Sequence, residues 1–229
     1  MNRTGPLTGL LGGSFNPAHG GHRRISLRVQ KALGLDEVWW LVSPGNPLKP
    51  VEGMAPLGAR IASARRVARR APIRVTAIER ELGTRFTVDT VRQLLRRFPH
   101  RRFVWLMGAD NLAQFHRWRD WRTIARLVPI AVIARPGYDA ASMASPAMTW
   151  LRRFRRRSAG VLQQAKWSGP ALVILRFDPD PRSASAIRMA DPHWHRRKLS
   201  GSGRAGSGRA VPLRDAVTRR IVPVSGLST

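Results

Sequence analysis

The feature that most constrains the fold is a short apolar run, residues 7–11, that breaks into Gly12-Gly13-Ser14-Phe15-Asn16-Pro17-Ala18-His19-Gly20-Gly21-His22. Residues with helical spacing follow at once: Ile25, Leu27, Val29 and Leu33. That order is strand, glycine-rich turn, helix start. A turn of this kind aims unpaired backbone N–H groups and the positive end of a helix dipole at one point, which suits a phosphate. His19 and His22 stand three residues apart and so share one side of the first helical turn.

The same alternation continues along the chain. Runs at 37–42, 73–77, 102–107, 129–134 and 171–175 also read as strands, and the continuous apolar character of 7–11 suggests burial on both faces, as in a parallel sheet. Between them, helical spacing predicts helices over 21–33, closed by Gly34, and over 57–70, with Ile61, Ala64, Val67 and Ala68 on one face. A third helix is predicted from Thr87 as N-cap, with shorter turns near 112–115 and 121–127. Residues 78–86 read as a loop, 146–157 as a basic amphipathic helix, and another helix begins at 182. Strands alternating with helices predict an α/β, Rossmann-like, doubly wound parallel sheet in three α/β/α layers. Ligands of such sheets bind outside the carboxyl ends of the strands, so the loops after the first, second and fourth strands are expected to converge. Residues 1–191 make one domain in this reading. Residues 192–229 form a basic Gly/Ser/Arg-rich tail with linker composition, ending in a short helix near 213–221.

Charge is the second unusual feature. The chain carries 41 basic and 13 acidic residues, a net of +28, and only Lys31, Lys49, Lys166 and Lys198 are lysines. Net +22 remains on residues 1–188, so the charge is not confined to the tail. Such a surface attracts polyanions, and non-specific nucleic-acid binding is expected. No zinc-finger spacing, aromatic RNA-binding signature or basic zipper is present to make it specific. Cysteine is absent, which excludes disulfides and thiolate metal sites. No apolar run approaches a membrane span, and the N-terminal run is too short and glycine-broken for a signal peptide, so a cytoplasmic protein without membrane contact is expected.

The glycine loop is neither a Walker A motif, which ends in Gly-Lys-Ser/Thr, nor the dinucleotide fingerprint, whose glycine spacing differs. The histidines can donate to phosphate oxygens, can be surface residues on a turn, or can ligate zinc; no third ligand stands at a recognisable spacing, so no metal site is assigned to the protein. What the loop does resemble is the nucleotidyltransferase signature Gly-Gly-Ser/Thr-Phe-Asp-Pro followed by His-x-Gly-His, with Asn16 at the usual Asp position. The second motif of that superfamily, Ile-Ser-Ser-Thr-x-Ile-Arg, is echoed by Arg182-Ser183-Ala184-Ser185-Ala186-Ile187-Arg188. Between them, Gly108-Ala109-Asp110-Asn111-Leu112, Phe115, Trp118, Trp121, Ile124 and the block 131–138 resemble bacterial nicotinate-nucleotide adenylyltransferases. Phe86-Thr87-Val88-Asp89-Thr90 is similar to their Tyr-Thr-x-x-Thr stretch. The resemblance covers roughly residues 7–190, in the order of the family.

The resemblance implies transfer of AMP from ATP to nicotinate mononucleotide, giving nicotinate adenine dinucleotide and pyrophosphate, in NAD biosynthesis. It implies that Gly12, Gly13, Ser14 and Phe15 line the ATP site, and that His19 and His22 hold its phosphates. Ser183, Ser185, Ile187 and Arg188 would close over them, with Gly108 and Asp110 beside the nucleotide. Trp118 would stack on the pyridine ring and Thr87 would lie beside its carboxylate, while Asn16, Lys49, Asp110 and Arg135 would reach the mononucleotide. His19, His22 and Arg188 would carry the catalysis. Mg²⁺ is implied as cofactor, held mainly through ATP phosphates. Plainer roles stay open: Asp110, Ser183 and Ser185 as helix caps, Trp118 as a packing residue and Lys49 as a solvated one. Acceptors other than the acid mononucleotide, such as nicotinamide mononucleotide or phosphopantetheine, remain compatible with the motifs, as does a non-catalytic nucleic-acid-binding role suggested by the charge alone.

Overall fold

A computed structural model describes residues 5–45, 53–134, 142–156, 169–178, 180, 182–197 and 213–222. Six strands make one sheet: β1 (Leu7–Gly13), β2 (Glu37–Val42), β3 (Ile73–Thr76), β4 (Arg102–Gly108), β5 (Ile130–Ala134) and β6 (Leu172–Arg176). Their order is β3-β2-β1-β4-β5-β6, and every neighbouring pair is parallel. The order reverses between β1 and β4, so the loops leaving those two strands sit side by side at the switch point.

The apolar runs are continuous because both sheet faces are covered. Successive residues point to opposite sides. Trp39 therefore packs with Leu10, Trp105 and Val132 on one face, and Trp40 with Val42, Val104 and Ile133 on the other. Each indole N–H finds a partner: Trp39 donates to Glu37 at 2.7 Å and Trp40 to Ser26 at 2.8 Å. Helices α1 (Gly20–Leu33) and α2 (Leu57–Ala68) cover the Trp40 face through Val29, Leu33, Ile61 and Ala64. On the Trp39 face lie α4 (Thr87–Arg97), α5 (Ala109–Gln114), α6 (Trp121–Leu127) and α7 (Pro146–Leu151). Val88, Val91 and Leu94 of α4 are fully buried, worth about 1.5–3 kcal/mol each.

Several boundaries differ from the sequence reading, each for a local reason. Residues 78–86 are not all loop: α3 (Ile78–Glu81) is a single helical turn, too short for periodicity to reveal. Phe86, not Thr87, is the N-cap of α4, and its side chain makes no capping hydrogen bond. The basic helix is shorter than predicted, ending as a 3-10 turn, Arg152–Phe154, before Arg155 bridges to Leu172. After α8 (Ala184–Ala190), α9 (Trp194–Arg197) packs its buried Trp194 against Ala55 and Ala59, inside what reads as tail.

Residues 213–222 form no helix. They make a turn closed by a bridge between Arg214 and Ile221, laid against the β3 edge. Polar capture by Asp215 outweighs the weak helical spacing. This buried carboxylate accepts from Thr76 Oγ1 at 2.9 Å, Ala77 N at 2.7 Å, Val217 N at 2.9 Å and Thr218 N at 3.0 Å. Val222 joins the core on the same side. Asp215 thus ties the end of β3 and the start of α3 to a segment about 140 residues later. Asp215→Ala should lower stability by about 2–3 kcal/mol, since it strands buried donors that now meet a charge; urea denaturation of the full chain measures it.

Candidate active site

The loop after β1 is shaped by one strained residue. Phe15 has φ 47°, a left-handed conformation that costs energy for a bulky side chain. Burial holds it there: the ring is 2% exposed, stacked on Trp40 with centroids 4.9 Å apart and set against His22 at 5.0 Å. Asn16 follows with its amide enclosed, Nδ2 donating to Gly53 O at 2.9 Å and Oδ1 accepting from Ala55 N at 3.2 Å.

His19 then caps α1. Its Nδ1 accepts from Gly21 N at 3.1 Å, and the Nδ1 of His22 accepts from His19 N at 3.3 Å. This is a reciprocal capping box made of two imidazoles in place of Ser/Thr and Glu. A neutral ring that accepts at Nδ1 carries its proton on Nε2, so the cap fixes the tautomer of both histidines as Nε2 donors. The rings lie 4.0 Å apart, and no acidic residue in the first turn of α1 neutralises its dipole. The two glycines between the histidines leave room for a neighbour. A Cβ on Gly20 would collide with Arg182, and one on Gly21 would collide with the His19 ring, 2.9 Å away.

Arg60 ties the loops together. On α2 it occupies the apolar stripe one turn after Leu57, and it is 1% exposed. Its guanidinium donates to Ser14 O at 2.8 Å, Ser43 O at 2.7 Å, Ala55 O at 2.8 Å and Pro44 O at 3.3 Å. Burial lowers its pKa to about 10, which leaves it charged at neutral pH. One side chain therefore joins the loops after β1 and β2 to the start of α2.

These loops enclose a cavity of about 470 Å³, with the two histidines, Gly12 to Asn16, Gly108 and Asp110 on its walls. Arg188 of α8 closes it from the far side. It donates to Asn16 O at 2.6 Å and to Ser185 Oγ at 3.1 Å, so α8 is latched onto the β1 loop. Asp180 grips Arg182 through two contacts of 2.7 Å and reaches Arg24 at 3.4 Å. The Arg182 fork holds this carboxyl well below the usual carboxylate range. The wall thus presents imidazole, guanidinium and helix N-terminal N–H groups, a set suited to a polyphosphate.

A second cavity of about 180 Å³ adjoins the first and shares Gly12, Gly13, Ser14 and Asn111 with it. Its walls differ in kind. Trp118 is half-buried, held edge-on by Trp105 at 6.2 Å and Phe115 at 5.3 Å. Opposite stand Phe86 and Thr87, where the uncapped first turn of α4 begins. Arg119 lies over the Phe86 ring at 4.8 Å, and Arg85 and Arg117 complete the basic rim. Glu79 of α3 is the single acidic lining residue among the described ones; desolvation raises its pKa to about 7. An aromatic wall beside exposed N–H donors suits a flat ring bearing an anionic or polar substituent.

Residues 10–190 match the model of the cytidylyltransferase-like family. The chain belongs to that family. Within it, this protein is 69% identical over 194 residues to a protein of Erythrobacter litoralis, covering 85% of this chain and 89% of that one. It is 53% identical over 188 residues to one of Cereibacter sphaeroides, covering 82% and 99%. Both are named "probable nicotinate-nucleotide adenylyltransferase". The fold matches Plasmodium falciparum nicotinic acid mononucleotide adenylyltransferase complexed with NaAD at TM-score 0.58 and 14% identity, covering 80% of this chain and 83% of that one.

This member of the cytidylyltransferase-like family gathers most of its motif residues around the two cavities. Gly12, Gly13, Ser14, Phe15, His19, His22, Gly108, Asp110, Ser185 and Arg188 all line the large cavity. Asn16 lines it too, spending its side chain on the 53–55 segment, whereas Thr87 and Trp118 line the small one. Ser183 caps α8 by accepting from Ala186 N at 3.1 Å, and neither it nor Ile187 lines either cavity. Asp110 is not a cap: α5 is capped at Gly108, and Gly108 is the residue that leaves space for the Asp110 carboxylate. Lys49 and Arg135 lie outside the described residues.

Four contributors escaped sequence reasoning: Arg60, Glu79, Asp180 and Trp105. Arg60 left one signal, an arginine within an apolar stripe. The amide of Asn16 explains why this loop carries Asn, since an ionised Asp cannot donate to Gly53 O. Asn16→Asp should lower stability by about 1–3 kcal/mol at pH 7 and should not raise kcat/KM, as thermal melts and steady-state kinetics will record.

Proposed function

We propose that this protein transfers the adenylyl group of ATP to the phosphate of nicotinate mononucleotide, releasing pyrophosphate and forming nicotinate adenine dinucleotide. The observation that carries this reading is the pair of adjoining cavities, one built for a polyphosphate and one for a flat ring, meeting at Gly12, Gly13 and Ser14. The names of the relatives support it, and so does the structural neighbour bound to NaAD.

The chemistry asks little of a base. The attacking oxygen belongs to a phosphate already ionised at neutral pH. It forms a bond to the α-phosphorus of ATP as the bond to the bridging oxygen breaks, and pyrophosphate leaves with that electron pair. The protein must bring the two phosphates into line and stabilise charge that builds on the α-phosphate and leaving group. In this reading His19 and His22 donate through Nε2, the N-terminus of α1 adds its dipole, and Arg188 closes from α8. Trp118 and the α4 N-terminus hold the pyridine ring, with Thr87 beside its carboxylate.

Mg²⁺ would neutralise charge on the triphosphate. Among the described residues no group of three or more His, Cys, Asp or Glu side chains could hold an ion. Asp110, Asp178 and Asp180 all line the large cavity, but Asp178 is paired with Arg28 and Asp180 with Arg24 and Arg182, so an ion there would be carried mainly by phosphate oxygens and water. Among the described residues, no helix is long and apolar enough to cross a membrane.

Pyrophosphate release from ATP should be fast with nicotinate mononucleotide and slower with nicotinamide mononucleotide or phosphopantetheine. His22→Ala should lower kcat/KM by about 10²–10³, the loss of one preorganised donor to developing charge. Absence of turnover with nicotinate mononucleotide, alongside turnover with another acceptor, would overturn the assignment.

A further inference from the structure

We propose that Glu79 is a specificity-determining residue of the small cavity, where its carboxyl group reads whether the ring substituent of the acceptor is a carboxylate or a carboxamide. The inference rests on the acceptor assignment above and deepens it.

Placement is the first argument. Glu79 comes from α3, the single turn held at its start by Asp215 through Ala77 N and Thr76 Oγ1. It lines the same cavity as Trp118 and Thr87. That cavity measures about 180 Å³, and an apolar cavity of roughly 150 Å³ accommodates a benzene ring. A single substituted ring therefore fills it, and Glu79 is part of the wall that such a ring would meet.

The second argument is chemical isolation. The Glu79 carboxyl is met by hydroxyls, Thr90 Oγ1 at 3.5 Å and the Ser43 side chain. Thr84 Oγ1 is committed to Thr90 at 2.8 Å. No ion pair to Glu79 exists among the described residues. On its own helix Glu81 turns to Arg97 and Arg220, and Arg80 is exposed. On α4, Asp89 pairs with Arg92. Arg119 is stacked on Phe86, while Arg85 and Arg117 are exposed on the rim of the cavity. The carboxyl thus keeps its proton to about pH 7, driven by desolvation.

The two acceptors meet opposite forms of this group. A carboxylate substituent is an acceptor only, so it is compatible with a protonated Glu79 that donates, and it is repelled by an ionised one. A carboxamide can donate its N–H to an ionised Glu79 and can accept from a protonated one. The acid is therefore favoured below pH 7, and the preference should fall as Glu79 ionises. Both mononucleotides carry the same ribose and phosphate, so pH effects from His19, His22 or the phosphate cancel in the ratio of their affinities.

The test is calorimetric binding of each mononucleotide to the full-length protein from pH 6 to 8.5, in buffers of different ionisation enthalpy. With a Glu79 pKa near 7, the acid-to-amide affinity ratio should fall by up to about thirtyfold across that range. Binding of the acid near pH 8 should take up a proton. Glu79→Gln should abolish both the fall and the uptake, whereas Glu79→Asp, which keeps a titratable group, should retain a pH-dependent ratio. A pH-independent ratio in the wild-type protein, or an unchanged fall in Glu79→Gln, would overturn the inference. Failure of both mononucleotides to bind at any pH would instead overturn the acceptor assignment and this inference with it.

Discussion

Both cavities depend on a buried cation with no counter-ion among the described residues. The guanidinium of Arg60 is enclosed among carbonyl oxygens of Ser14, Ser43, Pro44 and Ala55. Burying a charge is costly, and here carbonyl dipoles offset the cost. Arginine is suited to the task because its five donors leave in one plane, toward several chain segments at once; a lysine at the same place would be a single point with three donors. The arrangement converts desolvation into geometry, because the loops can leave Arg60 only by exposing an unpaired charge. The phosphate-facing loop after β1 and the wall of the ring pocket after β2 are therefore set by the same contact.

On that frame, positive potential is delivered to the large cavity without a lysine among its described lining residues. Helix dipole, imidazole Nε2 and the Arg188 guanidinium are oriented donors whose positions are fixed before a ligand arrives, which is the condition for stabilising developing charge cheaply. The capping box of two histidines does double duty in this respect: it starts the helix and selects the tautomer. The overall charge of +28 adds a long-range field that draws anions toward the protein, yet it does not distinguish this site from the rest of the surface. In the proposed reading, selectivity is left to the small cavity, which Trp118, Thr87 of the α4 N-terminus and Glu79 line.

Much of this was legible in the chain. Runs such as 37–42 and 102–107 marked strands, the continuous run 7–11 marked one buried on two faces, and the glycine loop before α1 marked a turn suited to phosphate. His19, His22 and Arg188 were readable because the two motifs carrying them are unusual and occur in order. What escaped was tertiary. Arg60 acts through four carbonyls of three chain segments, and carbonyls leave no trace in side-chain sequence. Glu79 stands on a helix of one turn, and its chemistry comes from what surrounds it. Asp215 rewrote the end of the chain by capturing β3, against a local pattern that favoured a helix. Trp118 and Thr87 were placed by resemblance; that they share a cavity with Glu79 needed the packing of α3 against β2.

The central claim is that two adjoining cavities hold ATP and a pyridine mononucleotide with their phosphates in line. A crystal structure with a non-hydrolysable ATP analogue and nicotinate mononucleotide tests it most directly. The triphosphate is expected against His19, His22 and Arg188, the pyridine ring on Trp118, and the mononucleotide phosphate facing the α-phosphorus at Gly12 to Ser14. A triphosphate bound away from the two histidines, or a pyridine ring outside the Trp118 cavity, would contradict it.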